Sequence, residues 1–307
     1  MNKVLVTGGA GFIGSHIVDA MVEEGNSVVV IDDLSSGSRD NLRAGVELLE
    51  WDVRSDQTRE YIASEEFDFI IHAAAQISVR ISMEKPRFDT EVNVVGLMNM
   101  LEALRNKRQP HFIMISTGGA IYGEQEQFPA DENHPILPTS VYGLAKRVSE
   151  LYLDLWRRQF KLPFTALRLS NVYGPRQNPH GEAGVVAIFS KKLIAGERPR
   201  INGSGEQTRD FVYVGDVAEA VRKVVAEKPA GIFNIGTGRE TSVNQLYQII
   251  TRSLDMEVEP EYGPPAPGEQ MRSCIDPSLA LRTFGWQPTV SIDDGIKLTT
   301  DWFRQQS

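Results

Sequence analysis

The sequence predicts an α/β fold that combines a doubly wound parallel sheet with a smaller α/β lobe. Short apolar runs alternate with segments of helical spacing between residues 3 and 169. That alternation is typical of a parallel sheet covered by helices on both faces. The chain has 307 residues, which is enough for one large domain and an additional lobe.

The predicted elements follow one another in a regular order. An apolar strand at Lys3–Thr7 precedes a helix over Phe12–Glu24, in which apolar residues recur at helical spacing. The alternation continues through Ser27–Ile31, Val46–Glu50, Phe67–His72, Val92–Arg105, His111–Ile115, Ser140–Gln159 and Pro163–Leu169.

After Asn171 the pattern changes to a loop rich in Pro, Gly and Asn, where the smaller lobe is expected to begin. A strand, a helix and a strand are then predicted at Phe211–Val214, Asp216–Glu227 and Gly231–Ile235, and they return the chain to the larger domain. Ser242 and Gln245 have the spacing of a capping box at the start of a later helix. The predicted division is a larger domain of residues 1–175 and about 210–238, and a smaller lobe of residues 176–209 and 239–307.

Composition argues against several classes of protein. The net charge is −9, and no basic block could neutralise a run of phosphates, so we expect no nucleic acid partner. Cys274 is the single cysteine, and the five histidines lack metal-ligand spacing, so we predict neither a disulfide nor a metal site. No apolar stretch approaches the roughly 18 residues of a membrane span. A cytoplasmic enzyme is the resulting expectation.

A glycine-rich turn joins the first strand to the first helix. Gly8, Gly11 and Gly14 let the backbone approach a pyrophosphate at the helix N-terminus, where free N–H groups and the helix dipole favour negative charge. Phe12 and Ile13 lie within the same turn. We therefore predict a Rossmann-type dinucleotide-binding domain with these residues as cofactor contacts.

Acidic and small residues follow the next three strands. Asp32 lies 18 residues after Gly14, close to the spacing expected for an acid that binds the ribose hydroxyls. A carboxylate there would repel the 2′-phosphate of NADP, so NAD is predicted. Further cofactor contacts are expected at Asp33, at Asp52 and Val53, and at Ala73, Ala74 and Ala75.

Tyr142 and Lys146 are the main chemical signal. They stand four residues apart in the predicted helix 140–159, so they share one face. An ammonium group near a phenol favours the phenolate, which makes the tyrosine a usable general base.

Taken together, these motifs resemble the extended short-chain dehydrogenase/reductases, and within them the UDP-glucose 4-epimerase group. The resemblance covers nearly the whole chain and rests on Gly8–Gly14, Asp32, Asp52–Val53, Asn93, Ser116–Gly123, Tyr142–Lys146 and Asn171–Pro175.

The resemblance implies a retained NAD that takes hydride from C4 of a UDP-sugar while Tyr142 removes the hydroxyl proton. The 4-keto sugar then turns, and hydride returns to its other face. By the same resemblance Lys146 binds the nicotinamide ribose and lowers the pKa of Tyr142, and Asn93 and Ser116 help to hold the cofactor.

Gly118 departs from the family pattern, which places Ser or Thr there. We expect Thr117 to supply the missing hydroxyl as a third catalytic residue, with Ser116 as the alternative. A further alternative is that Tyr142 works without a hydroxyl partner. Gly118, Gly119 and Ala120 also stand where related 4,6-dehydratases have Thr, Asp and Glu, and decarboxylating relatives have a Glu at the position of Ala120. The resemblance therefore favours epimerisation.

A UDP-sugar brings two phosphate charges into an acidic protein, so local cations are needed. Arg209 and Arg272 are the candidates, and Glu269 is expected at the uridine ribose. The full set of predicted substrate contacts is Ser78, Asn171, Val185, Ile201, Arg209, Glu269 and Arg272.

Other functions stay open at this point. Arg80 could meet a sugar carboxylate, so a UDP-glucuronate 4-epimerase is an alternative, as is a UDP-N-acetylglucosamine 4-epimerase. Gly118 is the one feature that favours a non-catalytic protein that binds NAD or a nucleotide sugar. A net NAD-dependent reductase is a third possibility. The resemblance also implies a homodimer packed through helices over Glu84–Lys107 and Ser140–Gln159.

Overall fold

The computed structural model describes residues 1–179, 184–265 and 270–306. Its strands are β1 (Lys3–Thr7), β2 (Ser27–Ile31), β3 (Glu47–Leu49), β4 (Phe69–His72), β5 (His111–Thr117), β6 (Phe164–Leu169), β7 (Asn171–Tyr173), β8 (Arg200–Asn202), β9 (Thr208–Arg209), β10 (Phe211–Tyr213), β11 (Gly231–Ile235), β12 (Thr241–Ser242) and β13 (Glu261–Gly263).

The helices are α1 (Phe12–Glu23), α2 (Asp56–Ser64), α3 (Val79–Glu84), α4 (Pro86–Thr90), α5 (Gly96–Ala103), α6 (Gly118–Ile121), α7 (Val141–Phe160), α8 (Val185–Ile194), α9 (Val214–Glu227), α10 (Val243–Ser253), α11 (Ser278–Phe284) and α12 (Ile292–Gln305). A π-helical turn at Glu91–Val95 joins α4 to α5. Among the described residues no helix is both long enough and apolar enough to cross a bilayer.

Seven parallel strands form the central sheet in the order β11-β6-β5-β4-β1-β2-β3. The strands are mostly apolar because helices cover both faces of the sheet. One core contains residues of α1, α9 and α11, and the other contains residues of α2, α5 and α7. The predicted doubly wound α/β fold is confirmed.

The order of the strands reverses between β1 and β4, which lie side by side. The chain runs outward from β1 to β2 and β3 and then crosses back to β4. Such a switch point opens a crevice at the carboxyl ends of the strands, where ligands bind in open α/β sheets.

The elements after β6 lie partly in the central sheet and partly outside it. Strand β11 joins the central sheet beside β6, with Gly231 opposite Thr165. Strand β10 instead pairs with β7 outside that sheet, so the predicted return of the chain begins with α9. A separate core packs α8, α10 and α12 together, and the predicted capping box of Ser242 and Gln245 is present at the start of α10.

Candidate active site

The glycine-rich turn and the loop after β4 touch at the switch point. Gly8 has a φ of +70°, and a Cβ there would lie 2.5 Å from the backbone nitrogen of Ala74. A Cβ on Gly14 would lie 2.0 Å from the carbonyl oxygen of Gly8. Only glycine fits at these two positions, and Gly11 then begins α1 without a side-chain cap. The first N–H groups of α1 thus open onto the crevice.

The carboxylate of Asp32 is held in place at the end of β2. Its Oδ2 accepts a hydrogen bond from the Ala10 nitrogen at 2.9 Å, and its Oδ1 accepts one from the Leu34 nitrogen at 2.9 Å. Burial raises the pKa of Asp32, and these backbone donors oppose the rise. Asp33 is exposed, and its Oδ1 accepts from both the nitrogen and the hydroxyl of Ser35.

Asp52 and Val53 lie at the same edge of the sheet. The Asp52 carboxylate is paired with the guanidinium of Arg54, which lowers the pKa of Asp52. Val53 is buried, and its carbonyl accepts a hydrogen bond from Asn99 Nδ2 at 2.8 Å. Residues 73–75 follow β4 and are half-buried.

Tyr142 and Lys146 lie in the first two turns of α7. The Lys146 ammonium donates a hydrogen bond to the Ile115 carbonyl at 3.0 Å and lies 5.9 Å from the centroid of the Tyr142 ring. Burial lowers the pKa of Lys146 to about 8. Burial also raises the pKa of Tyr142, and the charge of Asp89 acts in the same direction.

Thr117 and Ser116 point in different directions. Hydrogen bonding with the Thr117 side chain acts to lower the pKa of Tyr142, so this hydroxyl lies beside the phenol. The Ser116 hydroxyl instead donates to Glu150 Oε1 at 2.8 Å inside the protein. Of the two hydroxyls that the sequence offers, the structure brings Thr117 to the tyrosine.

Close backbone packing holds the 117–120 segment against α7. A Cβ on Gly143 would lie 2.4 Å from the carbonyl oxygen of Ala120. A Cβ on Gly119 would meet Asn171 Oδ1 at 3.6 Å and Thr117 Oγ1 at 4.0 Å, which are ordinary contact distances. Thr117 and Asn171 therefore border the same small space.

Asn93 lies in the π turn and anchors the loop after β4. Its Nδ2 donates to the Gln76 carbonyl at 3.0 Å and to Asp89 Oδ1 at 3.1 Å. Its own carbonyl accepts from the Ser149 hydroxyl of α7 at 3.1 Å. Ser78, which ends this loop, caps α3 by accepting from the Ile81 nitrogen.

The predicted phosphate ligands have protein partners. Arg209 donates to the neighbouring Thr208 carbonyl at 2.7 Å. Arg272 forms an ion pair with Glu240 and lies 3.7 Å from the centroid of the Phe128 ring.

The remaining predicted substrate contacts are divided between the core and the surface. Ile201 is buried in the core that α8, α10 and α12 form, and Val185 packs against that core. Arg80 is exposed and pairs with Glu84 on α3. Glu269 lies outside the described residues. In the described part of the chain no group of three His, Cys, Asp or Glu side chains could hold a metal ion.

The model of the NAD dependent epimerase/dehydratase family matches residues 4–236. The chain belongs to this family. It is 44% identical over 304 residues to a putative UDP-glucose 4-epimerase of Methanocaldococcus jannaschii, and the match covers 99% of each chain. It is 42% identical over 313 residues to the UDP-glucose 4-epimerase of Mycolicibacterium smegmatis, again with 99% of each chain covered.

Solved structures of family members give the same result. The UDP-glucose 4-epimerase of Thermotoga maritima with UDP-glucose has a TM-score of 0.96 and 44% identity, with 99% of each chain covered. The Thermus thermophilus UDP-glucose 4-epimerase in complex with NAD has a TM-score of 0.91 and 41% identity, with 98% of this chain and 99% of that chain covered. The predicted family is therefore confirmed, and the chain is an NAD-dependent enzyme.

The residues present fit the family's cofactor. The two positions that exclude any side chain, Gly8 and Gly14, leave the backbone open to a pyrophosphate. Asp32 stands at the end of the next strand, and the Ala10 nitrogen holds its carboxylate in place. A carboxylate at this position can accept hydrogen bonds from the two ribose hydroxyls.

Sequence reasoning missed a buried ion pair beneath the site. The Arg168 guanidinium on β6 donates to both carboxylate oxygens of Glu150 at 2.9 and 2.8 Å and to the Tyr122 hydroxyl at 2.9 Å. Glu150 stands four residues after Lys146 in a predicted helix, so a carboxylate on the face of Tyr142 and Lys146 was a usable signal. Arg168 offered a signal as well, because it is the one charged residue in the apolar run Phe164–Leu169.

Asp89 was also missed. The alternation of elements predicted a helix from Val92, and the range 84–107 that the resemblance assigned to a dimer interface gave Asp89 no role in the site. In the structure Pro86 begins a helix at its first position, where its missing N–H is harmless. Asp89 and Asn93 are thereby placed one turn apart.

Proposed function

We propose that this chain is an NAD-dependent UDP-glucose 4-epimerase that interconverts UDP-galactose and UDP-glucose through a transient 4-keto sugar. One observation carries the proposal: the Tyr142 phenol lies beside the Lys146 ammonium and the Thr117 hydroxyl at the carboxyl edge of the sheet. The family relatives of 41 to 44% identity are named for the same reaction.

Tyr142 is the base that takes the proton from O4 of the sugar and later returns it. A buried phenol binds its proton tightly, so it needs a cation nearby to act as a base. The Lys146 ammonium is that cation within the chain. Thr117 donates a hydrogen bond at the same place and orients the O4 hydroxyl toward the phenol.

The chemistry that bound NAD would supply is the reversible acceptance of hydride from C4 of the sugar. The glycine turn 8–14 would hold the pyrophosphate of NAD and Asp32 its adenosine ribose. Lys146 would bind the second ribose, with Asn93 fixing the loop 73–78 beside it. The Asp32 carboxylate favours NAD over NADP because it repels a 2′-phosphate.

The side chains around O4 favour epimerisation over elimination. Gly118, Gly119 and Ala120 carry no carboxylate that could remove or deliver a proton at C5 or C6. Asn171 borders the Thr117 hydroxyl and is placed to contact the nucleotide sugar. Arg209 and Arg272 supply positive charge for the diphosphate, with Arg272 exchanging its Glu240 partner for phosphate.

We also propose that the enzyme is a homodimer, located in the cytoplasm. Leu144, Leu151 and Leu155 lie seven and four residues apart on α7, so they share one face, and all three are exposed. Val95 and Phe88 are exposed on the neighbouring π turn and α4. An apolar face of this kind is typical of a subunit interface.

The direct test incubates the purified protein, without added NAD, with UDP-galactose, UDP-N-acetylgalactosamine or UDP-galacturonate and separates the C4 epimers by chromatography. We expect UDP-galactose to be converted fastest, and Tyr142→Phe to lose at least about 100-fold in kcat while it retains NAD. Full activity of Tyr142→Phe would contradict the assigned base. Fastest conversion of UDP-galacturonate would replace the proposed substrate and make Arg80 a ligand candidate. Net consumption of added NADH would identify a reductase.

A further inference from the structure

A buried carboxylate outside the proposed chemistry faces the catalytic helix. Asp89 of α4 is 0% exposed. Its Oδ1 accepts hydrogen bonds from Gln76 Nε2 at 2.7 Å and from Asn93 Nδ2 at 3.1 Å. Its Oδ2 is buried without a hydrogen-bond partner among the described residues. A desolvated carboxylate with one unsatisfied oxygen is unfavourable for folding, so its presence calls for a functional reason.

The backbone around Asp89 is arranged to meet α7. The π turn Glu91–Val95 interrupts the helix directly after α4, and such turns are frequent at functional sites. Within it the Asn93 carbonyl accepts from Ser149, which lies one turn after Lys146 on α7. Asp89 and Asn93 are four residues apart, so Asp89 lies on the face that packs against the catalytic helix.

The other charged groups near Lys146 are already compensated. Glu150 on α7 also raises the pKa of Lys146, to a smaller extent than Asp89, and it forms a buried ion pair with Arg168 on β6. His72 on β4 is buried, and burial lowers its pKa to about 3, so this ring is neutral at ordinary pH. On the helix that carries Asp89, Arg87 and Glu91 pair with each other at 2.8 Å.

We propose that Asp89 is a positioning residue of the active site. Its carboxylate stabilises the Lys146 ammonium across the interface between α4 and α7, and its hydrogen bonds hold the loop 73–78 against the catalytic helix through Gln76 and Asn93. This inference rests on the proposed function for its effect on turnover, whereas the effect on Lys146 belongs to the protein itself.

The sign of the effect follows from the charge. The Asp89 carboxylate raises the pKa of Lys146, opposing burial, and it raises the pKa of Tyr142. Without this charge Lys146 loses its proton at lower pH, and the Tyr142 phenol ionises at lower pH. Both limbs of the pH profile of kcat therefore move to lower pH in Asp89→Asn.

The experiment compares wild type with Asp89→Asn and uses Asp154→Asn as the matched control. Asp154 lies on α7, as Lys146 does, but it is partly exposed and pairs with Arg157 and Arg158. Carbon-13 NMR of protein labelled at its lysines follows the titration of Lys146. The Lys146 resonance is identified as the one missing from the spectrum of the Lys146→Met variant. We expect the Lys146 midpoint and both limbs of the kcat profile to fall by about 0.5 pH unit in Asp89→Asn. The Asp154→Asn values should match those of wild type.

An Asp89→Asn protein with wild-type midpoint and wild-type pH limbs would overturn the proposal, because a merely structural role would change stability but not titration. If Asp89→Asn did not fold, Asp89→Ala would provide the same comparison, with the same downward shift expected. Asp89→Glu should restore the midpoint toward that of wild type. Absence of turnover in wild type would contradict the proposed function, and the Lys146 midpoint would then decide the role of Asp89 by itself.

Discussion

Ile275 occupies the space that a side chain at position 118 would need. A Cβ on Gly118 would lie 2.7 Å from Ile275 Cδ1 and 3.2 Å from Ile275 Cγ2. Packing against Ile275 therefore explains why a glycine stands at this position. The loss of the usual hydroxyl there does not argue for a protein without catalysis, because Thr117 lies beside Tyr142.

Gly118→Ser should destabilise the protein by about 1–3 kcal/mol, since the new side chain overpacks a buried site. Ile275→Val removes the closest contact, so the double variant Gly118→Ser/Ile275→Val should regain part of the lost stability. Gly119→Ser is the matched control because the space there is open at 3.6 Å. Urea unfolding of the four proteins measures these differences. A Gly118→Ser protein as stable as wild type would contradict the packing explanation.

Thr117→Val should lower kcat by about 10–100-fold, the value of one hydrogen bond to a charged group. The Ser116→Ala variant provides the comparison. It should keep kcat within about threefold, yet lose about 1–3 kcal/mol of unfolding free energy, because the Ser116 hydroxyl satisfies the buried Glu150 carboxylate. Steady-state kinetics with urea unfolding separates the two effects. The reverse pattern would assign the catalytic hydroxyl to Ser116.

Much of the site could be predicted because its signals are local in sequence. The glycine turn, Asp32 and the Tyr142–Lys146 pair each depend on spacing within one or two elements, and the bounds of β1, β2 and β11 match the prediction. The contributions of Asp89 and Ile275 could not be predicted in this way. Each depends on tertiary packing between distant segments.

Asp32→Asn should weaken the binding of NAD by about tenfold or more, because a neutral amide replaces a charged acceptor of ribose hydroxyls. Its preference for NAD over NADP should also decrease. Asp33→Asn is the matched control, since the Asp33 carboxylate is bonded to Ser35. Calorimetry on cofactor-stripped protein measures both affinities. Equal losses in the two variants would mean that Asp33 shares the ribose.

His72 should make the fold less stable in acid. Its ring is buried beside the Thr7 hydroxyl, and burial lowers its pKa to about 3 from 6.5. The unfolded chain therefore takes up a proton between pH 6.5 and 3 that the folded chain does not, so stability falls as the pH falls through this range. The loss between pH 7 and pH 5 is about 2 kcal/mol.

His72→Gln removes that contribution. The variant should show about 2 kcal/mol less change in unfolding free energy between pH 7 and pH 5 than wild type, whatever its stability at pH 7. Urea unfolding at the two pH values is the measurement. An unchanged difference would mean that the His72 ring becomes charged in the folded protein.

The most direct measurement follows the hydrogen at C4. Purified protein, without added NAD, is given UDP-galactose that carries deuterium at C4, and the UDP-glucose formed is analysed by mass spectrometry and NMR. The account predicts that the product retains deuterium at C4, because hydride leaves and returns within one active site while Tyr142 exchanges only the O4 proton. Product with solvent hydrogen at C4 would contradict it.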